Sequence, residues 1–339
     1  MIRHLCHALR QLRRSPGFAA VAVATLALGI GANTAIFSVV HGVLLRELPF
    51  ADAERLVTVW ETDPRRGVDR NVVHPGNFAD WRERSRSFSS LAGFMAWSAN
   101  LSGPGGGPER LAVGYVTGDF FDTLGAKMLL GRALGPEDAR QDSADVVVLS
   151  AALWRRRFGA DPAIVGRSVT VDGEPATVVG VAEERFDLPP GTMFWEPLAV
   201  SDEMRRSRGR WMSVVGRLAP GASPQSAQAE MSALAARLAD ERPEANAGWG
   251  ANVVPLREHL VGGWRAGLWL LMAAVGCVLA IACVNLANLM LARGAGRRRE
   301  LAIRAALGAA RRRLAGLVLA EAGLIAVLGG ALGVAVGQV

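Results

Sequence analysis

The chain has 339 residues, 50% of them hydrophobic and 20% charged, with a formal net charge of +7. Two short arginine-rich segments beside apolar blocks carry more than this whole excess. The remainder is acidic on balance, a poor match for a phosphate backbone. The three cysteines, Cys6, Cys277 and Cys283, lie in a basic segment or inside an apolar block, so no disulfide framework holds the rest of the chain.

Residues 1–17 carry four arginines (Arg3, Arg10, Arg13, Arg14) and no acid. Ile2, Leu5, Leu9 and Leu12 recur at helical spacing, which predicts a basic amphipathic helix. Such a helix either lies on a membrane surface or leads, solvated, into a span. Ser15-Pro16-Gly17 ends it. From Phe18 to Leu45 there is no formal charge, and about 20 apolar residues suffice to cross a bilayer. The block exceeds the roughly 7–15 residues of a cleaved signal's apolar region, so residues 18–45 read as an uncleaved anchor, the first transmembrane helix. Gly29 and Gly31 permit close helix approach, and Asn33 can hydrogen-bond across helices. Packing is the preferred role for Asn33 over a place on a substrate path.

Residues 46–263 read as one inserted α+β domain. Leu56–Trp60, Asp145–Leu149, Met212–Leu218 and Asn252–Leu256 have strand composition, and Leu153–Phe158 follows as a helix. Ser168–Val181 reads as a hairpin turning at Asp172-Gly173. Ser223 and Pro224 open a helix to about Glu241, with Met231, Leu234 and Leu238 on one face. The run Gly103–Pro108 reads as a loop, and Asp80-Trp81-Arg82-Glu83 as a solvated helix face.

Residues 264–292 form a second span, free of charge from Ala266 to Ala292, entered by Trp264 and leaving through Asn285 and Asn288. Residues 293–313 hold eight arginines against Glu300 alone. Residues 314–339 form a third span, with Glu321 its one charge and Gly329, Gly333 and Gly337 in a packing series. The positive-inside rule puts both basic segments in the cytoplasm and the inserted domain outside. The fold class is therefore an α-helical transmembrane bundle, three spans present, with an inserted α+β domain outside the membrane, a periplasmic core domain under the resemblance given below. Ending with its third span, the chain reads as the N-terminal part of a longer protein.

The sequence has no G-x-x-x-x-G-K-[ST] loop, no H-E-x-x-H, no C-x-x-C and no G-x-S-x-G. His74 and His259 are too far apart in sequence to suggest a metal pair. No catalytic, cofactor-binding or metal-binding residue is assigned, and the expectation is a protein that is not an enzyme.

Three stretches resemble the permease subunits of MacB/FtsX-type ABC transporters, most closely the duplicated orphan permease branch. The first runs from Arg10-Gln11-Leu12-Arg13-Arg14-Ser15-Pro16-Gly17-Phe18 through Leu26–Val40 to Leu44–Phe50. The second comprises Val147–Ser150, Leu153–Gly159, Val165–Ser168 and Val178–Val181. The third is Arg298–Ala309, followed by Glu321-Ala322. The family plan has four spans with the periplasmic domain between the first two. The resemblance implies a bacterial inner-membrane protein, N-terminus cytoplasmic, working beside membrane lipids as a homodimer or a pseudo-dimer of permease halves. ATP would be bound by a separate cytoplasmic ABC ATPase, with no cofactor on this chain.

Under that resemblance the segment 293–313 is the coupling loop to the ATPase, through Glu300, Leu301, Ile303, Arg304, Leu307 and Gly308. Glu300 and Arg304 form a favourable i, i+4 pair, and Gly308 suits a helix C-cap. The alternative is that its apolar residues touch only lipid and its arginines only fix topology. The implied function is efflux or extraction of a hydrophobic or peptide-like substrate by mechanical transmission. The competing function is a non-transporting scaffold or signal transducer acting on a periplasmic partner.

Overall fold

The computed structural model describes residues 9–10, 12–13, 15–42, 48–103, 106–140, 143–296 and 311–337. The chain divides into two compact units: a membrane unit of residues 1–46 and 261–339, and an inserted unit of residues 47–260.

In chain order the main elements begin with α1 (Pro16–Val40), β1 (Leu56–Asp63), β2 (Val68–Asn71) and α2 (Pro75–Arg84). The long strands β3 (Phe88–Gly103) and β4 (Gly106–Val116) follow, then α3 (Phe120–Leu124), β5 (Met128–Gly131), β6 (Val146–Leu149) and α4 (Ala151–Phe158). Next come β7 (Ser168–Val171), β8 (Glu174–Ala182), β9 (Phe194–Pro197), α5 (Asp202–Arg206) and β10 (Ser213–Leu218). The chain continues through α6 (Pro224–Glu241), α7 (Pro243–Asn246), β11 (Gly250–Pro255), α8 (Leu256–Gly296) and α9 (Arg311–Gly337).

The strands of the inserted unit form one mixed sheet in the order β11-β1-β10-β3-β4-β9-β6-β8-β5, with β2 added to β1 and β7 pairing β3 and β8. Only the β4–β9 and β6–β8 neighbours are parallel. Successive strand residues point to opposite faces, so a strand covered on both sides must be apolar at every position. Val146-Val147-Val148-Leu149 meets that condition and is buried throughout. Val147 and Leu149 enter one core with Leu101, Leu153, Val178 and Phe194, while Val148 enters another with Phe120, Phe121, Phe186 and Trp195. Each fully buried large side chain contributes about 1.5–3 kcal/mol of transfer free energy. A third core sits where α2 and α6 cover β1 and β10, and it holds Phe78, Trp81, Val214, Met231, Leu234 and Leu238. The start of α6 is fixed by Ser223 and Ser226, each side chain bonding the other's backbone N–H.

Two sequence expectations are corrected. Gly103–Pro108 is no free loop, because β3 and β4 stay paired as far as Gly103 opposite Gly106. Gly103 takes φ +128, a backbone that side chains disfavour, so the glycine run serves the hairpin tip. The Asp80–Glu83 face is not simply solvated: Trp81 is buried, and Asp80 is tied to Arg84 at 3.3 Å and to Arg242. The helix that carries the second apolar block starts at Leu256, within the inserted unit. Leu256 and Leu260, on the first turns of α8, pack in the aromatic core of the inserted unit.

Candidate functional site

Three described segments are long and apolar enough to cross a membrane: Pro16–Val40, Leu256–Ala292 and Leu319–Gly337. Their contacts show where small residues matter. A Cβ on Gly333 would stand 2.8 Å from the Ala27 carbonyl and 2.9 Å from Ile30 Cβ. One on Gly337 would meet the Gly31 carbonyl at 2.7 Å, and one on Gly329 would meet Leu26 Cβ at 2.7 Å. A Cβ on Gly31 would lie 3.0 Å from the Gly333 carbonyl. The glycines of α9 therefore seat it directly on the backbone of α1.

A neighbouring face of α1 meets α8. A Cβ on Gly29 would lie 3.1 Å from the Leu279 side chain. Asn33 Nδ2 donates to the Gly29 carbonyl at 2.8 Å and to the Val275 carbonyl at 3.1 Å. Asn285 and Asn288 are placed differently. Both are exposed on α8, because the seam uses another face of that helix, the one carrying Val275, Leu279, Ala282, Leu286 and Met290. The coupling residues Glu300, Leu301, Ile303, Arg304, Leu307 and Gly308 lie outside the described residues.

In the inserted unit a cleft of about 460 Å3 opens between α2, the turn after β4, the 134–140 segment and the stretch from Leu198 to Arg205. Part of its lining is apolar: Phe78, Ala79, Pro136, Ala139, Leu198 and Val200. Arg82, Glu83 and Arg205 stand at its rim. Arg82 pairs with Asp119 at 3.1 Å, and Arg205 reaches Glu83 only at 3.9 Å.

The walls are held by buried polar contacts. His74 caps α2, its Nδ1 accepting from the Gly76 N–H at 3.0 Å while Nε2 donates to the Ser207 carbonyl just beyond α5. That pattern needs the neutral Nε2–H tautomer. Gly76 itself leaves no room for a side chain, since a Cβ would lie 2.6 Å from the Arg205 carbonyl. A Cβ on Gly118 would run into the backbone of Gly135 and Pro136, so the two loops of the far wall touch. Behind α2 the buried Glu61 accepts from the His74 N–H at 3.1 Å and from Asn77 at 2.8 Å, and it pairs with Arg210. Arg210 stacks on Trp249, 3.7 Å from the ring centre, and donates to the Ala245 carbonyl at 2.7 Å. A buried carboxylate is tolerated only with such a full set of partners. The other histidine, His259, packs on the Trp60 ring instead.

Further along the sheet, Glu196 and Tyr115 face each other on β9 and β4. Burial pushes the Glu196 carboxyl up to about 7, and the charges of Asp145 and Asp172 push the same way against a hydrogen bond from Tyr115. Burial and Glu196 push the Tyr115 hydroxyl up to about 12. Neither the cleft nor this pair was visible in the sequence, because their members are scattered along the chain. The one available signal was the quartet Asp80–Glu83, whose Arg82 and Glu83 reach the cleft rim.

A bundle of spans carrying one large inserted α+β domain is the architecture of a membrane permease with an exported domain. The family model for the MacB-like periplasmic core domain matches residues 19–234, and that for the FtsX-like permease C-terminal matches residues 272–339. The chain belongs to this family and is a MacB/FtsX-type ABC transporter permease, an inner-membrane protein with a periplasmic domain. The macrolide export ATP-binding/permease protein MacB of Salmonella paratyphi A is 28% identical over 222 residues, covering 65% of this chain and 34% of the relative. The MacB of Burkholderia thailandensis is 26% identical over 234 residues, covering 63% and 33%. The chain thus spans about a third of the length of the curated relatives it matches. Among solved structures, the periplasmic region of MacB from Actinobacillus actinomycetemcomitans gives a TM-score of 0.44 at 16% identity, covering 64% of this chain and 92% of that one. The extracellular domain of the noncanonic ABC-type transporter YknZ from Gram-positive bacteria gives 0.42 at 13% identity, covering 59% and 99%.

Proposed function

We propose that this chain is the permease subunit of an ABC transporter in which a separate ATPase drives efflux or extraction of a hydrophobic or peptide-like substrate. The observation that carries the reading is the family match across both the inserted domain and the later spans, residues 19–234 and 272–339. The chain itself binds no nucleotide and performs no chemistry. The N-terminus and the 293–313 segment face the cytoplasm, where Leu301, Ile303 and Leu307 seat in the ATPase and Glu300 and Arg304 stiffen the joint. Motion there passes through the spans to the periplasmic domain, and a second permease half completes the assembly.

Co-purification of the native protein from its own cells, read by mass spectrometry, tests this. An ABC ATPase is expected with the wild type and is expected to be lost with Leu301→Asp and with Arg304→Glu. Periplasmic proteins without any ATPase would overturn ATP-driven transport.

A further inference from the structure

We propose that the cleft beside α2 is a binding site for a small amphipathic anion, an apolar body carrying a carboxylate or phosphate head, taken up from the aqueous side. The proposal goes beyond the transport reading, since binding here needs no ATPase. Volume comes first: about 460 Å3 falls within the roughly 300–1,000 Å3 of small-molecule sites. The lining joins an apolar part to polar and charged groups, the mixture an amphipathic ligand requires.

Charge decides the head group. Arg82 and Arg205 bring five donors each to the rim, and each guanidinium has one ion-pair contact there, at 3.1 and 3.9 Å. Both side chains are nearly half exposed, so the remaining donors are open to a ligand. The neighbouring acids do not compete equally. Asp119 is engaged twice, by Arg82 and by the Thr117 hydroxyl at 2.8 Å, whereas Glu83 is the more exposed partner of the long pair and is readily displaced. An incoming carboxylate replaces Glu83 on Arg205 and gains the planar two-donor geometry that guanidinium offers. The walls are prepared for this: His74 fixes α2 to the end of α5, and Gly118 lets the opposite loops touch, so the cleft exists without rearrangement.

The test uses the full chain in lipid nanodiscs and two photoactivatable probes, a diazirine-bearing decanoate and its neutral decanol counterpart. Labelled peptides are mapped by mass spectrometry. The decanoate is expected to label the segments 75–84 and 194–206 about tenfold more than the alcohol does, the discrimination of one charge-assisted hydrogen-bonded pair. Arg82→Gln with Arg205→Gln should remove that preference while leaving the weaker, headgroup-independent labelling. Ala139→Trp, which fills the cleft from a loop residue outside the hydrophobic cores, should abolish labelling by both probes. Label in the spans serves as the internal standard. Equal labelling of the cleft by acid and alcohol, or cleft labelling that Ala139→Trp does not change, overturns the proposal. Competition by phosphatidylglycerol in the nanodisc would also overturn it, by making the occupant a lipid.

Discussion

The membrane unit and the inserted unit are held together by opposite kinds of residue. In the inserted unit the largest side chains sit deepest. Phe120, Phe121, Phe186 and Trp195 meet at ring-centre distances of 5.1–6.1 Å between the sheet and α3. In the membrane unit the close contacts are made by residues with no side chain, and large ones such as Leu28, Leu270 and Leu332 face outward. The reason is the solvent. Water drives apolar side chains together, whereas lipid tails are as apolar as leucine and give no such drive, so helices associate through close backbone packing and hydrogen bonds. What stabilises one unit by its bulk destabilises the other.

Reciprocal substitutions break the comparison most sharply. Phe121→Ala removes a fully buried ring and should cost the inserted unit about 3–5 kcal/mol. The check is hydrogen exchange of β4, β9 and β10 amides, which should accelerate while α1 and α9 keep their protection. Gly333→Leu adds bulk where even a methyl group meets backbone, and should cost the membrane unit about 2–3 kcal/mol by overpacking. Pulsed EPR between spin labels on α1 and α9 should show the pair separating, while Val327→Leu, at an exposed position of the same helix, leaves the distance unchanged. An unchanged distance in Gly333→Leu would mean that the glycine seam does not hold the pair.

The contrast also explains what could be read from the sequence. Span lengths and the small-residue series are local properties of apolar runs, so Gly29, Gly31, Gly329, Gly333 and Gly337 were legible as packing residues and are found at close approaches. Asn285 and Asn288 looked equivalent to Asn33, yet only Asn33 reaches another helix, because sequence spacing does not say which face meets a neighbour. In the inserted unit, strands buried on both faces announce themselves, as Val146–Leu149 does. The β3–β4 hairpin did not, because Ser, Asn and Gly interrupt its alternation and its length is fixed by pairing across the sheet. The cleft was illegible for a stronger reason: Phe78, Thr117, Pro136 and Leu198 become neighbours only in the fold.

A third prediction concerns charge. Glu196 has its carboxyl raised from 4.5 to about 7 chiefly by burial, so the folded protein holds a proton that the unfolded chain releases. Stability from this group is therefore fully present below about 4.5 and is lost as pH rises to about 7, a loss of roughly 3 kcal/mol. Glu196→Gln cannot ionise. Denaturation of wild type and variant at several pH values should show the variant gaining on the wild type across that window and running parallel above it. Parallel curves throughout would mean that Glu196 titrates normally.

The smallest expected effect tests the hydrogen-bonded side of the membrane unit. Asn33→Leu puts an apolar side chain of similar size in place of the amide and deletes the donor to the Val275 carbonyl. Interhelical hydrogen bonds in lipid are worth about 0.6 kcal/mol on average, because the separated helices find other partners and the freed Val275 carbonyl keeps its own helical bond. The loss should fall below 1 kcal/mol, well under that of Gly333→Leu. EPR should then show the α1–α9 distance unchanged and the α1–α8 distribution broadened. A larger loss than that of Gly333→Leu would reverse the comparison and make the polar contact, rather than the absence of side chains, what holds the spans together.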